Sequence, residues 1–122
     1  MRLLLDTHTF VWWDNGELPG PVVRRIQRAD DVLVSAVVAW EIAIKSGLGK
    51  MDARGSVAEA IADYGFTELG IGIAHADAVR GLPRHHRDPF DRMLVAQALV
   101  EDRVIVSADA ALRAYKAPVV WD

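Results

Sequence analysis

The hydrophobic positions of the chain fall into short uninterrupted runs, separated by longer segments in which apolar residues recur at helical spacing. Short runs of this kind are typical of strands that are buried on both faces, as in parallel sheets. The last of these strands is predicted to lie at a sheet edge, because its proline then costs no ladder hydrogen bond. The predicted strands are Arg2–Asp6, Asp31–Ser35, Phe66–Leu69, Arg103–Ser107 and Pro118–Trp121.

The segments between these strands predict helices, most of them with one apolar face. The predicted helices are Thr7–Asp14, Pro19–Arg28, Ala36–Ser46, Ser56–Tyr64, Ala74–Leu82, Asp88–Asp102 and Asp109–Tyr115. The alternation of strands and helices predicts a single α/β domain over residues 1–122, with three layers (α/β/α) around a central, mostly parallel sheet. Right-handed crossovers place the carboxyl ends of the strands along one edge, where open α/β sheets hold their sites.

Composition narrows the function classes further. The 122 residues include no cysteine, which excludes disulfides, a thiolate nucleophile and cysteine-based metal sites. The net charge is -3, from 14 Lys and Arg against 17 Asp and Glu, so that any contact with nucleic acid needs a local basic patch or a metal ion. No apolar run is long enough to cross a bilayer, and a cytoplasmic location is expected.

Four carboxylates from separate segments are predicted to meet at the carboxyl edge of the sheet. They are Asp6, Glu41, Asp91 and Asp109. Like charges gathered in one place repel each other unless a cation neutralises them, and all-oxygen ligands suit Mg²⁺ or Mn²⁺. Such an ion holds phosphate oxygens and activates water, which predicts metal-assisted phosphodiester hydrolysis.

Each of these acids also has a local structural interpretation. Asp6 and Asp109 can cap the helices that follow them, and Asp91 can be the acidic arm of a capping interaction. Glu41 can pair with Lys45 one turn later on the same helix. A fifth acid, Asp88, precedes a proline and is predicted to be an N-cap rather than a metal ligand.

Basic and aromatic residues provide candidate contacts to nucleic acid. His85 and His86 lie with Arg84 and Arg87 in a loop that is either a solvated surface or a phosphate-binding patch. Arg92 either contacts phosphate in the same way or pairs with an acid. Four tryptophans are expected mainly in the core or at an interface, with base stacking as the alternative.

Four segments, taken together and in order, resemble PIN-domain proteins, and specifically VapC-like toxins of type II toxin–antitoxin pairs. They read LLLDTHTFVWW from Leu3, VSAVVAWEIAIK from Val34, RDPFDRMLVAQA from Arg87 and IVSAD from Ile105. The resemblance implies an endoribonuclease that depends on Mg²⁺ or Mn²⁺ and that forms a homodimer. It also implies a cognate antitoxin whose C-terminal segment blocks the acidic pocket.

By motif match, the resemblance assigns Asp6, Glu41, Asp91 and Asp109 to catalysis and the metal site. It gives Ser107 a supporting role, with Thr7 as a second supporting hydroxyl. The alternative function is a catalytically silent PIN-like module that binds RNA or protein. Phosphoacceptor receiver domains and haloacid-dehalogenase-type phosphatases are disfavoured, because they need an acid pair or Asp-x-Asp after the first strand, where this chain has Asp6-Thr7-His8.

Overall fold

A computed structural model describes residues 1–49, 55–85 and 87–122 of the chain. Within these ranges five strands form one sheet in the order β3-β2-β1-β4-β5, and every neighbouring pair is parallel. The strands are β1 (Arg2–Leu5), β2 (Asp31–Ser35), β3 (Thr67–Leu69), β4 (Val104–Val106) and β5 (Val119–Val120). The predicted α/β/α fold is therefore confirmed, with a sheet that is parallel throughout.

The helices follow the predicted order along the chain. They are α1 (Thr7–Asp14), α2 (Gly20–Gln27), α3 (Ala36–Gly47), α4 (Val57–Tyr64), α5 (Ile73–Val79) and α6 (Pro89–Glu101), followed by a short 3₁₀ helix (Ala110–Ala114). Helix α6 ends where Asp102 adopts the left-handed conformation, with φ of 54°, and this reversal directs the chain into β4. Among the described helices, none has the length and apolar character needed to cross a membrane.

Most predicted helix ends agree with the structure to within one residue, and the largest difference is at the end of α5. The segment Ala74–Leu82 was expected to stay helical up to Pro83, whereas α5 begins one residue earlier and ends at Val79. The next three amides donate to carbonyls only three residues back, at 3.2 Å in each case, so the chain tightens into turns before the proline. Such short-range bonds commonly satisfy the last carbonyls of a helix.

Alternate residues of the central strand support two hydrophobic clusters. Leu3 and Leu5 pack with Phe10 of α1 and Val22 of α2, while Leu4 packs with residues of α6 such as Leu94. All six are almost completely buried. Because side chains alternate across a strand, this pattern places β1 in the middle of the domain, with its carboxyl end at the centre of one sheet edge.

Candidate functional site

The first part of the site lies where β1 and its neighbour β4 end. Asp6 follows β1, and its backbone amide donates to the carbonyl of Val106 at 3.2 Å. The hydroxyl of Thr9 donates to the same carbonyl at 2.9 Å. The Asp6 carboxylate accepts the backbone N–H of Thr9 at 2.9 Å, so Asp6 is the N-cap of α1 as well as a residue at the sheet edge.

The Asp6 carboxyl is buried, with only 5% of the residue exposed. Burial raises its pKa above the ordinary value, while hydrogen bonds from Ser107 and Thr9 act in the opposite direction. A buried carboxylate is costly unless hydrogen bonds or a cation compensate its charge. Burial thus disfavours the charged form of Asp6, and the hydrogen bonds from Ser107 and Thr9 favour it.

Ser107 connects Asp6 to the last predicted acid. Its side chain forms a hydrogen bond with Asp6, and its Oγ accepts the backbone N–H of Asp109 at 3.0 Å. The Asp109 carboxylate in turn accepts the N–H of Ala111 at 2.9 Å and caps the 3₁₀ helix. We call Asp6, Ser107 and Asp109 the strand-end group.

A cleft of about 340 Å³ opens beside the strand-end group. Its lining consists of Asp6, His8, Trp12, Ala108 and Asp109. This volume falls within the range of small-molecule sites, and two of the five lining residues are predicted catalytic acids. The cleft is thus the place where a substrate can approach the strand-end group.

The second part of the site consists of side chains carried by helices. The hydroxyl of Thr7 donates to Oε1 of Glu41 at 2.5 Å, and Lys45 donates to Oε2 of the same carboxylate. Glu41 is 2% exposed. Glu41 thus pairs with Lys45 at the i,i+4 spacing, as its local interpretation predicted, and it does so as a buried residue.

Two further acids act on Lys45 from the beginning of α6. The hydrogen bond to Glu41 is the main cause that raises the pKa of Lys45, and the negative charges of Asp88 and Asp91 act in the same direction. Asp88 is the N-cap of α6, as predicted, and accepts the N–H groups of Phe90 and Asp91 at 2.8 and 3.2 Å. We call Glu41, Lys45, Asp88 and Asp91 the helix group. Thr7, the residue after Asp6, links this group to the strand-end group through its bond to Glu41.

The donors present suit a hard divalent cation, since they are carboxylates and hydroxyls. Their arrangement differs from the predicted single cluster of four acids. Within residues 1–49, 55–85 and 87–122, no three Asp, Glu or His side chains are close enough together to hold a metal ion. The two buried carboxylates have different partners. Asp6 accepts hydrogen bonds from hydroxyl and amide groups, whereas Glu41 forms an ion pair with Lys45.

The basic candidates in and after the loop before α6 differ in their contacts. The Arg92 guanidinium donates to the backbone carbonyls of Pro83, Val79 and Leu82 at 2.8, 3.2 and 3.4 Å, so it ties the end of α5 to α6. Arg87 and His85 are exposed. His86 lies outside the described residues.

Sequence reasoning gave too little weight to three residues of the site. Lys45 was considered only as a surface partner of Glu41, yet its charge interacts with two more acids. Thr9 was not singled out, although its position three residues after Asp6 is the spacing of an N-capping bond. Trp12 was treated with the other tryptophans, and its place in the cleft follows from a helical turn that begins at the end of β1.

Comparison with known proteins gives one family match and several structural ones. The PIN domain model matches residues 3–118. No curated protein sequence gives a significant match. The chain is similar in structure to VapBC2 from Rickettsia felis bound to a DNA fragment from its promoter, with a TM-score of 0.74, 14% identity and 100% of both chains covered.

Two further solved structures give similar results. A toxin–antitoxin complex from Klebsiella pneumoniae has a TM-score of 0.66 at 14% identity, over 97% of this chain and 95% of that one. VapBC-1 from nontypeable Haemophilus influenzae has a TM-score of 0.63 at 15% identity, over 99% and 98%. At these identities the structural likeness establishes a shared fold.

Proposed function

The chain belongs to the PIN domain family, and from this we propose that it is an endoribonuclease dependent on Mg²⁺ or Mn²⁺ and the toxin of a type II toxin–antitoxin pair. The observation that carries the proposal is the link from Asp6 through Ser107 to Asp109 at the carboxyl edge of the sheet. Two acids from different strand ends are thereby brought to one open cleft. Oxygen donors of this type, beside space for a substrate, suit metal-assisted phosphodiester hydrolysis.

The metal ligands in this proposal are Asp6, Asp91 and Asp109, together with Glu41. When bound, the divalent ion supplies Lewis acidity at a phosphate oxygen and a more acidic water. Ser107 keeps Asp6 and Asp109 in a fixed relation, and Thr7 fixes one oxygen of Glu41. The other oxygen is paired with Lys45, so Glu41 joins the ligand set only by exchanging that partner.

The remaining parts of the proposal concern partners and location. The three similar structures are named as VapBC or toxin–antitoxin complexes, which supports a cognate antitoxin for this chain. Trp40, Ile44 and Leu48 are exposed on one face of α3 at i, i+4 and i+8, which supports a surface covered by a partner or by a second copy in a homodimer. We place this enzyme in the cytoplasm. Among the candidate basic residues, we assign substrate contact to His85, His86 and Arg87, and we assign Arg92 the role of positioning their loop.

The direct test is cleavage of a fluorescently labelled RNA by the purified chain. Cleavage is expected with Mg²⁺ or Mn²⁺, and it should stop on addition of a chelator. Asp109→Asn should remove the activity while the protein stays folded, because asparagine also caps a helix. Asp102→Asn is the matched control, since Asp102 is exposed and asparagine tolerates its left-handed conformation. A folded wild-type chain that binds RNA but never cleaves it would favour the catalytically silent module instead.

A further inference from the structure

Helix α2 carries a concentrated positive charge that the proposed active site does not use. Arg24, Arg25 and Arg28 lie within five residues, and the helix contains no acid. The three arginines line a cleft of about 360 Å³ together with Pro21, Ala29, Met1 and Asp122. We call Arg24, Arg25 and Arg28 the arginine face.

An aromatic contact connects this face to the candidate cleft. Trp12 lines the cleft, and its ring lies 5.7 Å from that of His8 and 5.9 Å from that of Trp121, measured between centroids. The residue after Trp121 is Asp122, whose backbone carbonyl accepts a hydrogen bond from Arg25 at 3.0 Å. A series of contacts therefore leads from the acids through the two half-buried tryptophans to the arginines.

The order of chemical groups along this surface matches a single strand of RNA. Bases stack on aromatic rings with little regard to sequence, and phosphates bind arginine. A chain of net charge -3 with buried acids at its centre repels RNA unless a separate basic surface retains the strand. An acidic peptide also suits three arginines, but it gives no reason for the two tryptophans between them and the acids.

We propose that the arginine face and the Trp12–Trp121 pair form a binding track for single-stranded RNA that leads into the candidate cleft. The phosphates contact Arg24, Arg25 and Arg28, and the bases nearest the cleft stack on Trp12 and Trp121. The direction towards the acids rests on the proposed nuclease function. The existence of the track does not, because binding is measurable without cleavage.

The test uses fluorescence anisotropy of the full chain with a labelled, unstructured RNA dodecamer in chelator, so that no cleavage occurs. Arg24→Ala with Arg28→Ala should weaken binding about tenfold or more, and should reduce the slope of log affinity against log salt by about 1.4, the value for two lost phosphate contacts on a single strand. Arg25 is left in place because it bonds the carbonyl of Asp122. The matched control is Arg80→Ala with Lys116→Ala, which removes two exposed cations that line neither cleft.

Trp12→Leu provides an independent test of the aromatic part. It should weaken binding about tenfold without changing the salt slope, because stacking releases no counterions. Thermal unfolding of each variant confirms that the fold is retained. A variant of Trp12 that binds as the wild type does contradicts the stacking role.

The outcomes separate the track from the nuclease function. A wild-type chain that binds the dodecamer with the predicted salt slope but cleaves no RNA keeps the track and overturns the nuclease proposal. A chain that cleaves RNA, with the arginine variant and its control binding equally, overturns the track. A third outcome is that a Glu-rich peptide binds more tightly than RNA of equal charge and that the arginine variant loses this peptide binding. That result overturns the assignment to RNA and points to an acidic protein partner.

Discussion

The two halves of the candidate site are held in different ways. The strand-end group is fixed by backbone: Asp6 by the amide of Thr9 and Asp109 by the amide of Ala111, with Ser107 between them. The helix group depends on side chains that meet across α3 and α6, and its central contact is the ion pair of Lys45 with Glu41. The first half is thus held by backbone amides, while the second rests on an ion pair between two side chains, which in our proposal a divalent ion replaces.

This difference explains why the acids do not form one cluster in the described residues. Four carboxylates without a cation repel each other, and Lys45 supplies a positive charge on the helix side. Asp6 has hydrogen bonds from Ser107 and Thr9 and only a small contribution from the charge of His8, and burial, the largest influence, raises its pKa. The comparison predicts that the two halves respond differently to mutation, with loss of activity dominating at the strand ends and loss of stability at the helices.

The largest effect is expected at Asp6. Asp6→Asn removes a charged oxygen of the proposed ligand set, and we expect RNA cleavage to fall at least about a hundredfold, equivalent to about 3 kcal/mol of transition-state stabilisation. The melting temperature should rise at neutral pH, because the amide oxygen still accepts the Thr9 N–H and no buried charge remains. The measurements are RNA cleavage and calorimetric melting, with the exposed Asp77→Asn as control. Full activity in Asp6→Asn contradicts its role.

The next effect concerns the ion pair of the helix group. Lys45→Met leaves the carboxylate of Glu41 buried with Thr7 as its remaining named partner, and we expect the free energy of unfolding to fall by about 2 kcal/mol. This is below the roughly 3–5 kcal/mol found when a fully buried pair is broken, because Lys45 is one-quarter exposed. Urea unfolding measures the loss.

Addition of Mn²⁺ tests whether the ion and Lys45 compete for Glu41. The ion should stabilise Lys45→Met more than the wild type, since Glu41 no longer has to exchange a partner. Lys116→Met is a suitable control because Lys116 is exposed. Equal stabilisation of both proteins by Mn²⁺ means that Lys45 does not occupy the place of the ion.

A smaller effect is expected at the hydroxyl that links the two halves. Thr7→Val keeps the shape of the side chain but removes the donor to Glu41, and should cost about 1.5 kcal/mol, as expected for a hydrogen bond to a charged group. Thr9→Val is the comparison at the strand-end group, where the hydroxyl donates to the carbonyl of Val106 and also bonds the Asp6 carboxyl, so a similar loss of about 1.5 kcal/mol is expected. No loss of stability in Thr7→Val, measured by urea unfolding, contradicts the role of this hydroxyl.

The smallest effect is expected at Asp88. Asp88→Asn should change stability by less than about 0.5 kcal/mol, because asparagine accepts the same amides at the start of α6, whereas Asp88→Ala should cost about 1 kcal/mol. Cleavage by Asp88→Asn should remain close to wild type. An inactive but folded Asp88→Asn places this residue in the ligand set after all.

The fold was largely predictable because its signals are local. The buried runs of β1, β2 and β4 and the Asp-Pro start of α6 each depend on a few neighbouring residues. The end of α5 at Val79 was missed because three-residue turns leave no distinct apolar pattern before Pro83. The shared edge of the ends of β1 and β4 followed from the predicted parallel topology, whereas the direct pairing of these two strands was not predicted.

The site was only partly predictable, for a physical reason. Spacing places Asp6 and Asp109 at strand ends, but it does not say which cation compensates a buried acid. Lys45 pairs with Glu41 at the local i,i+4 spacing, and it also interacts with the charge of Asp91, which is remote in sequence. Only the tertiary structure brings Lys45 near Asp91. The arginine face lies on the polar side of a helix, which helical spacing can indicate. Trp121 comes from the opposite end of the sequence, so its place near this face needed the tertiary structure.

The central claim is that these acids, remote in sequence, form one site for a divalent ion. The direct measurement is anomalous diffraction from a crystal soaked in Mn²⁺. We predict a Mn²⁺ peak within coordination distance of the Asp6 and Asp109 carboxylates, with Glu41 separated from Lys45 and turned towards the ion. A crystal in which Lys45 stays paired with Glu41 and no Mn²⁺ lies at this edge of the sheet would contradict the account.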